Sequence, residues 1–64
     1  MRTITYKEKP ATIKAEFTRR NPTLHRRGQI IEPGAVYLQL EVDRREVFDW
    51  VDYELLYDAA GKTL

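Results

Sequence analysis

Four arginines, Arg19, Arg20, Arg26 and Arg27, stand with His25 and Asn21 inside the nine residues 19–27. A guanidinium presents paired donors in one plane, which suits phosphate and carboxylate oxygens. The segment is therefore a candidate contact for a nucleic-acid backbone, with Tyr6 or Tyr37 as stacking platforms on an adjacent face. The competing reading is a solvated loop that confers solubility. A pI of about 8.1 lies below the strongly basic range of dedicated nucleic-acid-binding domains.

A second set is apolar. Phe48, Trp50 and Leu56 fall on one parity of an extended segment, with Asp49, Asp52 and Glu54 among them. An aromatic centre inside a polar rim is the anatomy of a protein-contact patch. The competing reading is a bulge near Asp49 or Asp52 that turns Trp50 into the core. A compact acidic-rimmed domain can also occupy a basic groove meant for nucleic acid, as several small phage-borne inhibitors do; this is analogy at the level of fold alone.

Catalysis finds little to work with. The chain has neither Ser nor Cys, and His25 is its only imidazole. No acid lies near His25 in sequence to orient it as a base. Asp49 and Asp52 could in principle do acid–base work, but a domain of this size seldom encloses the water-excluding cleft that such chemistry needs. Thiolate metal sites and disulfides are excluded, one His builds no zinc site, and no loop has a calcium-binding frame. Gly28, Gly34 and Gly61 are isolated, so no glycine-rich phosphate loop exists. The expectation is a protein that binds, without enzymatic activity, metal or cofactor.

Sixty-four residues make one small domain, residues 1–64, which is marginal without a staple. Good packing or a partner subunit must supply the stability, so a homodimer is expected. No stretch approaches the roughly 18 apolar residues of a membrane span. Residues Met1 to Lys7 alternate and lack the apolar run of a signal peptide; with no Cys, this favours the cytoplasm. Residues 1–34 carry a balance of +5 and residues 35–64 one of −4, a polarity that can steer a partner unless folding interleaves the halves.

The elements that must hold these residues read as strands. Val36, Leu38, Leu40 and Val42 occupy every second position, with Tyr37, Gln39 and Glu41 between them, the pattern of a half-buried strand. Thr3 and Thr5 alternate with Ile4 and Tyr6, and residues 7–10 read as a turn closed by Pro10. Ile13, Ala15 and Phe17 then share one face of a second strand. Residues 19–27 read as a loop, with Leu24 as its anchor. Gly28 to Glu32 reads as a brief strand, and Pro33-Gly34 as a tight turn with positive φ at the glycine.

After Asp43 two readings compete. Asp43-Arg44-Arg45-Glu46 has the spacing of a capping box, and Gly61 could close a helix. On that helix, however, Glu54 and Asp58 land among Val47, Val51 and Leu55, leaving no apolar stripe. At period two, Val47, Val51, Tyr53, Leu55 and Tyr57 share a face interrupted by Asp49. The strand reading is preferred. Asp58-Ala59-Ala60-Gly61-Lys62 then forms a hairpin loop with Gly61 in the left-handed region, and Thr63 and Leu64 begin the return. The string from Tyr57 to Lys62 resembles the hairpins of tyrosine-aspartate repeat proteins, a likeness of turn chemistry over six residues.

The predicted fold is all-β, a small antiparallel meander or SH3-like barrel of five to six short strands. Its alternative is α+β with a C-terminal helix over about residues 44–60. The predicted function is a protein-binding module, inhibitor or adaptor, built on Phe48, Trp50 and Leu56 with Asp49, Asp52 and Glu54. The alternative is a nucleic-acid-binding module using Arg19, Arg20, Arg26, Arg27 and His25.

Overall fold

The computed structural model describes residues 2–64. Its strands are β1 (Thr3–Tyr6), β2 (Lys9–Arg20), β3 (Thr23–Leu24), β4 (Ile30–Glu32), β5 (Ala35–Val42) and β6 (Arg45–Asp52), followed by one 3-10 turn at Tyr53–Leu55. Four of them form an antiparallel sheet in the order β1-β2-β5-β6, and β3 and β4 pair separately as a hairpin arm between β2 and β5. The all-β meander is thus realised. Among the described residues there is no α-helix, and none long and apolar enough to cross a membrane.

The alternation of β5 is what organises the sheet. Val36, Leu38 and Leu40 are completely buried and Val42 nearly so, while Tyr37 and Gln39 between them are half-buried on the opposite face. On β6 the buried row meets Val51, Asp49, Val47 and Arg45 in register. Ile4, Tyr6 and Ile13 pack against the same core. The sheet curls toward this inner face. Two register shifts in the β2–β5 ladder, between Ile13 and Ala15 and between Glu16 and Thr18, each insert an extra residue into β2, and such bulges bend and twist a strand. The curl stops short of a barrel. β1 and β6 remain unpaired edges, bridged by one side-chain bond in which the Tyr6 hydroxyl donates to Asp49 Oδ2.

The same bulges overturn one expected face. Ile13 stays inside, opposite Leu40, but Ala15 pairs with Gln39 and Phe17 is 55% exposed. Side-chain parity is lost at each extra residue, so Phe17 leaves the core face. Pro33-Gly34 is corrected too. Gly34 has no positive φ; it is needed because a Cβ there would lie 2.7 Å from the Pro22 nitrogen and 2.8 Å from Pro22 Cδ. The chain crosses itself at that point.

Both tight hairpins of the sheet use two-residue loops with left-handed backbone at each position: Lys7 and Glu8 (φ 47° and 68°), then Asp43 and Arg44 (φ 51° and 63°). These are the torsions of a type I′ turn, whose twist matches the flanking strands and which normally recruits Asn and Gly. A side chain in this region costs roughly 1–2 kcal/mol, partly offset because Gly is more flexible when unfolded. Glu8→Gly is therefore expected to stabilise the protein by about 1 kcal/mol, seen as a higher urea midpoint. No change or a loss would contradict the turn geometry.

The strand expected to run to Tyr57 ends at Asp52. Beyond it the chain turns over the inner face and buries Tyr53, Leu56 and Tyr57 against the β5 row. The terminal loop forms as its sequence implies. Asp58 Oδ1 accepts the backbone N–H groups of Ala60 and Lys62 at 2.9 Å, Gly61 has φ 81°, and Tyr57 bridges Thr63. The Leu56 carbonyl accepts the Leu64 N–H and the Arg2 guanidinium, both at 2.9 Å, which ties the two ends of the chain together.

Candidate functional site

With the inner face filled by the C-terminal segment, the outer face of the β2–β5–β6 sheet is left for contact. The ladder sets its side chains in rows. Thr18, Tyr37 and Trp50 form one row; Ala15, Gln39 and Phe48 the next. The bulged Phe17 lies with its ring centre 6.0 Å from both Tyr37 and Phe48, and Tyr37 is 5.3 Å from Trp50. Tilted rings at such separations attract one another and form one surface. Phe48 and Trp50 are each half exposed.

Charged side chains bound this aromatic band along the strands. At one end Glu41 and Glu46 face each other directly across the ladder. Like charges in that position are destabilising; Gln39 Nε2 donates to Glu46, and Lys14 lies 3.3 Å from Glu41. At the other end Arg20, Ala35 and Asp52 form a row.

Phe48 and Trp50 therefore come together as expected, and Trp50 is surface. Leu56 does not join them. It is completely buried, because the 3-10 turn breaks the period-two register on which its place in the patch depended. Asp49 is also displaced. Opposite Leu38, it lies on the inner side of the sheet, accepting the Tyr6 hydroxyl at Oδ2 and the Trp50 backbone N–H at Oδ1, 2.7 Å away. Asp52 borders the aromatic band, and Glu54 is exposed on the 3-10 turn. The rim consists of Glu41, Glu46, Arg20 and Asp52. Period-two counting on β5 and β6 alone would find Tyr37 beside Trp50, but Phe17 enters only through the bulges.

The arginine segment is not one loop. Arg19 and Arg20 complete β2 and point to opposite faces, opposite Val36 and Ala35. Arg19 is drawn inward, its guanidinium carbon 4.8 Å from the centre of the Tyr57 ring, and the Tyr57 hydroxyl donates to Glu16. Burial, then that bond, pushes the Tyr57 hydroxyl above its ordinary pKa. His25, Arg26 and Arg27 sit at the tip of the β3–β4 arm, where His25 N–H donates to the Gln29 carbonyl and Gly28 takes φ 77°. Among the described residues no group of three His, Asp or Glu could hold a metal ion. A groove of about 550 Å³ at the turn end is lined by Tyr6, Val42 and Val47, with Lys9 at its edge paired to Asp43 at 2.7 Å.

The Tyr6–Asp49 bond is testable through pH. The Tyr6 hydroxyl, then the Trp50 N–H, hold the Asp49 carboxyl below the usual carboxylate range. A carboxylate depressed in the folded state adds stability above its unfolded pKa, roughly 3.9, and loses it as pH falls through the lower folded value. The stability gap between wild type and Tyr6→Phe is expected to be open at neutral pH and to narrow below pH of about 4. Urea midpoints across that range read it; a pH-independent gap would refute the linkage.

No family model, no curated protein and no solved structure matches this chain.

Proposed function

We propose that this chain is a non-enzymatic protein-binding module, working either as a homodimer or as an inhibitor or adaptor of a larger partner. The observation that carries the reading is the uncovered band of Phe17, Tyr37, Phe48 and Trp50 on the outer face of the sheet. Aromatic side chains of this kind dominate interface energetics because they bury large areas at low entropy cost. A sheet bearing aromatics is also a platform for single-stranded nucleic acid. The border favours the protein reading: its carboxylates Glu41, Glu46 and Asp52 outnumber the cations Lys14 and Arg20 and would repel a phosphate chain crossing the band.

A photo-crosslinking residue in place of Phe48, with Glu8 as control position, tests the reading in cells. A discrete protein adduct at 48 and none at 8 is the expected result. An adduct to nucleic acid, or equal labelling at both positions, would overturn it.

Contact with phosphate through the hairpin tip is the second reading, favoured by the proximity of His25, Arg26 and Arg27 on one turn. Its signature is affinity that collapses with added salt as counterions are released; aromatic docking would respond weakly.

A further inference from the structure

The outer face has a second property, visible once its residues are set out by column. The β2 column carries the cations Lys14 and Arg20, and the β6 column the anions Glu46 and Asp52, with the aromatic band between the two ends. Among the described residues neither Arg20 nor Asp52 has an ion pair. They end the same row on strands two apart, roughly 10 Å from each other. Asp52 begins the 3-10 turn but makes no capping bond with its side chain.

Resting on the docking reading above, we propose that the occupant of this face is a second copy of the chain. The dimer is a face-to-face β-sandwich whose two-fold axis runs along the strands. Two in-plane axes could superpose the faces. An axis across the strands lays each strand on its own counterpart with ends exchanged, so Glu46 meets Asp52 and Arg20 meets the Lys14 end: like on like. An axis along the strands lays β2 on β6 with ends preserved. Arg20 then meets Asp52 of the second copy twice over, Lys14 and Glu46 approach, and Phe17 packs on Phe48 and Trp50. The corner pairs are self-complementary, as an isologous interface requires; on the axis itself Glu41 lies over Glu41 of the second copy, each with its own Lys14 at 3.3 Å to offset the repulsion. It also keeps the strand directions within the roughly 30° of an aligned sandwich.

Area points the same way. The chain exposes 5041 Å², whereas a folded monomer of 7.6 kDa is expected to expose about 4300 Å². The excess is close to the roughly 800 Å² that one partner contributes to a standard interface; the elongation of the chain, 43 × 19 × 17 Å, contributes to it as well.

Sedimentation equilibrium on the whole chain tests this. Wild type is expected to be a dimer at micromolar concentration. Arg20→Asp and Asp52→Arg should each weaken it by roughly tenfold or more, since both symmetric pairs become repulsive. The two variants mixed in equal amounts should recover the dimer, because each supplies the charge that the other lacks. Both positions are exposed, and unchanged circular dichroism confirms that the variants fold. A monomeric wild type with a foreign protein crosslinked at position 48 would overturn self-association while leaving the docking reading intact. A dimer indifferent to both variants, or one that mixing does not restore, would overturn the geometry; pairing through the open β6 edge would behave in this way.

Discussion

Leu56→Ala is expected to destabilise the protein by about 2–5 kcal/mol, whereas Leu55→Ala next to it should stay within roughly 0.5 kcal/mol. Leu56 is completely buried and Leu55 is half exposed. Removing a buried isobutyl group forfeits its transfer energy and leaves a cavity that close-packed neighbours fill only in part. A domain of this size has roughly 3–5 kcal/mol to lose, so the Leu56 variant should be largely unfolded at room temperature. The pair of variants reports on one structural event. If the chain ran on as a strand, Tyr53, Leu55 and Tyr57 would share the inner face and Leu56 would point out. Instead the N–H groups of Leu56 and Tyr57 both donate to the Tyr53 carbonyl at 3.0 Å, and the turn rotates Leu56 and Tyr57 inward together. Urea denaturation of both variants settles the matter: a larger loss for Leu55→Ala would mean that the turn does not form.

Gly34→Ala is expected to cost about 3 kcal/mol, at the upper end of overpacking. The added methyl would meet the Arg20 carbonyl and the Pro22 nitrogen and ring. Most of these atoms belong to backbone, and the proline ring cannot rotate aside. Relief requires the base of the β3–β4 arm to move away from the start of β5. That movement would strain the bond from the Tyr53 N–H to the Gly34 carbonyl, 3.1 Å long, which starts the C-terminal turn. Gly28→Ala is the control. Its Cβ would meet nothing within 4 Å, but its φ of 77° is left-handed, so only about 1 kcal/mol of backbone strain is expected. Thermal midpoints that rank the two variants in the reverse order would show that the crossing is looser than described.

The site was legible where periodicity was unbroken. Tyr37, Phe48 and Trp50 lie on regular stretches of β5 and β6, and counting by two places them on the face opposite Leu38 and Leu40. Phe17 was not legible. Its exposure depends on two inserted residues in β2, and an insertion appears only when the partner strand supplies the register. Asp49 illustrates a different limit: a carboxylate in an apolar row reads as an interruption until Tyr6, 43 positions away in the chain, is seen to donate to it.

Local chemistry determined the all-β character, the β5 alternation, the two-sided β6 strand and the Asp58–Gly61 loop, because each depends on neighbours within a few residues. Only the tertiary structure decided which side of the sheet the C-terminal segment covers, and so which aromatics stay uncovered. That choice rests on Leu56 and Tyr57 packing against β5, on bulges defined by a partner strand, and on the Gly34 crossing. All three are contacts between distant parts of the chain, and no local pattern encodes their register.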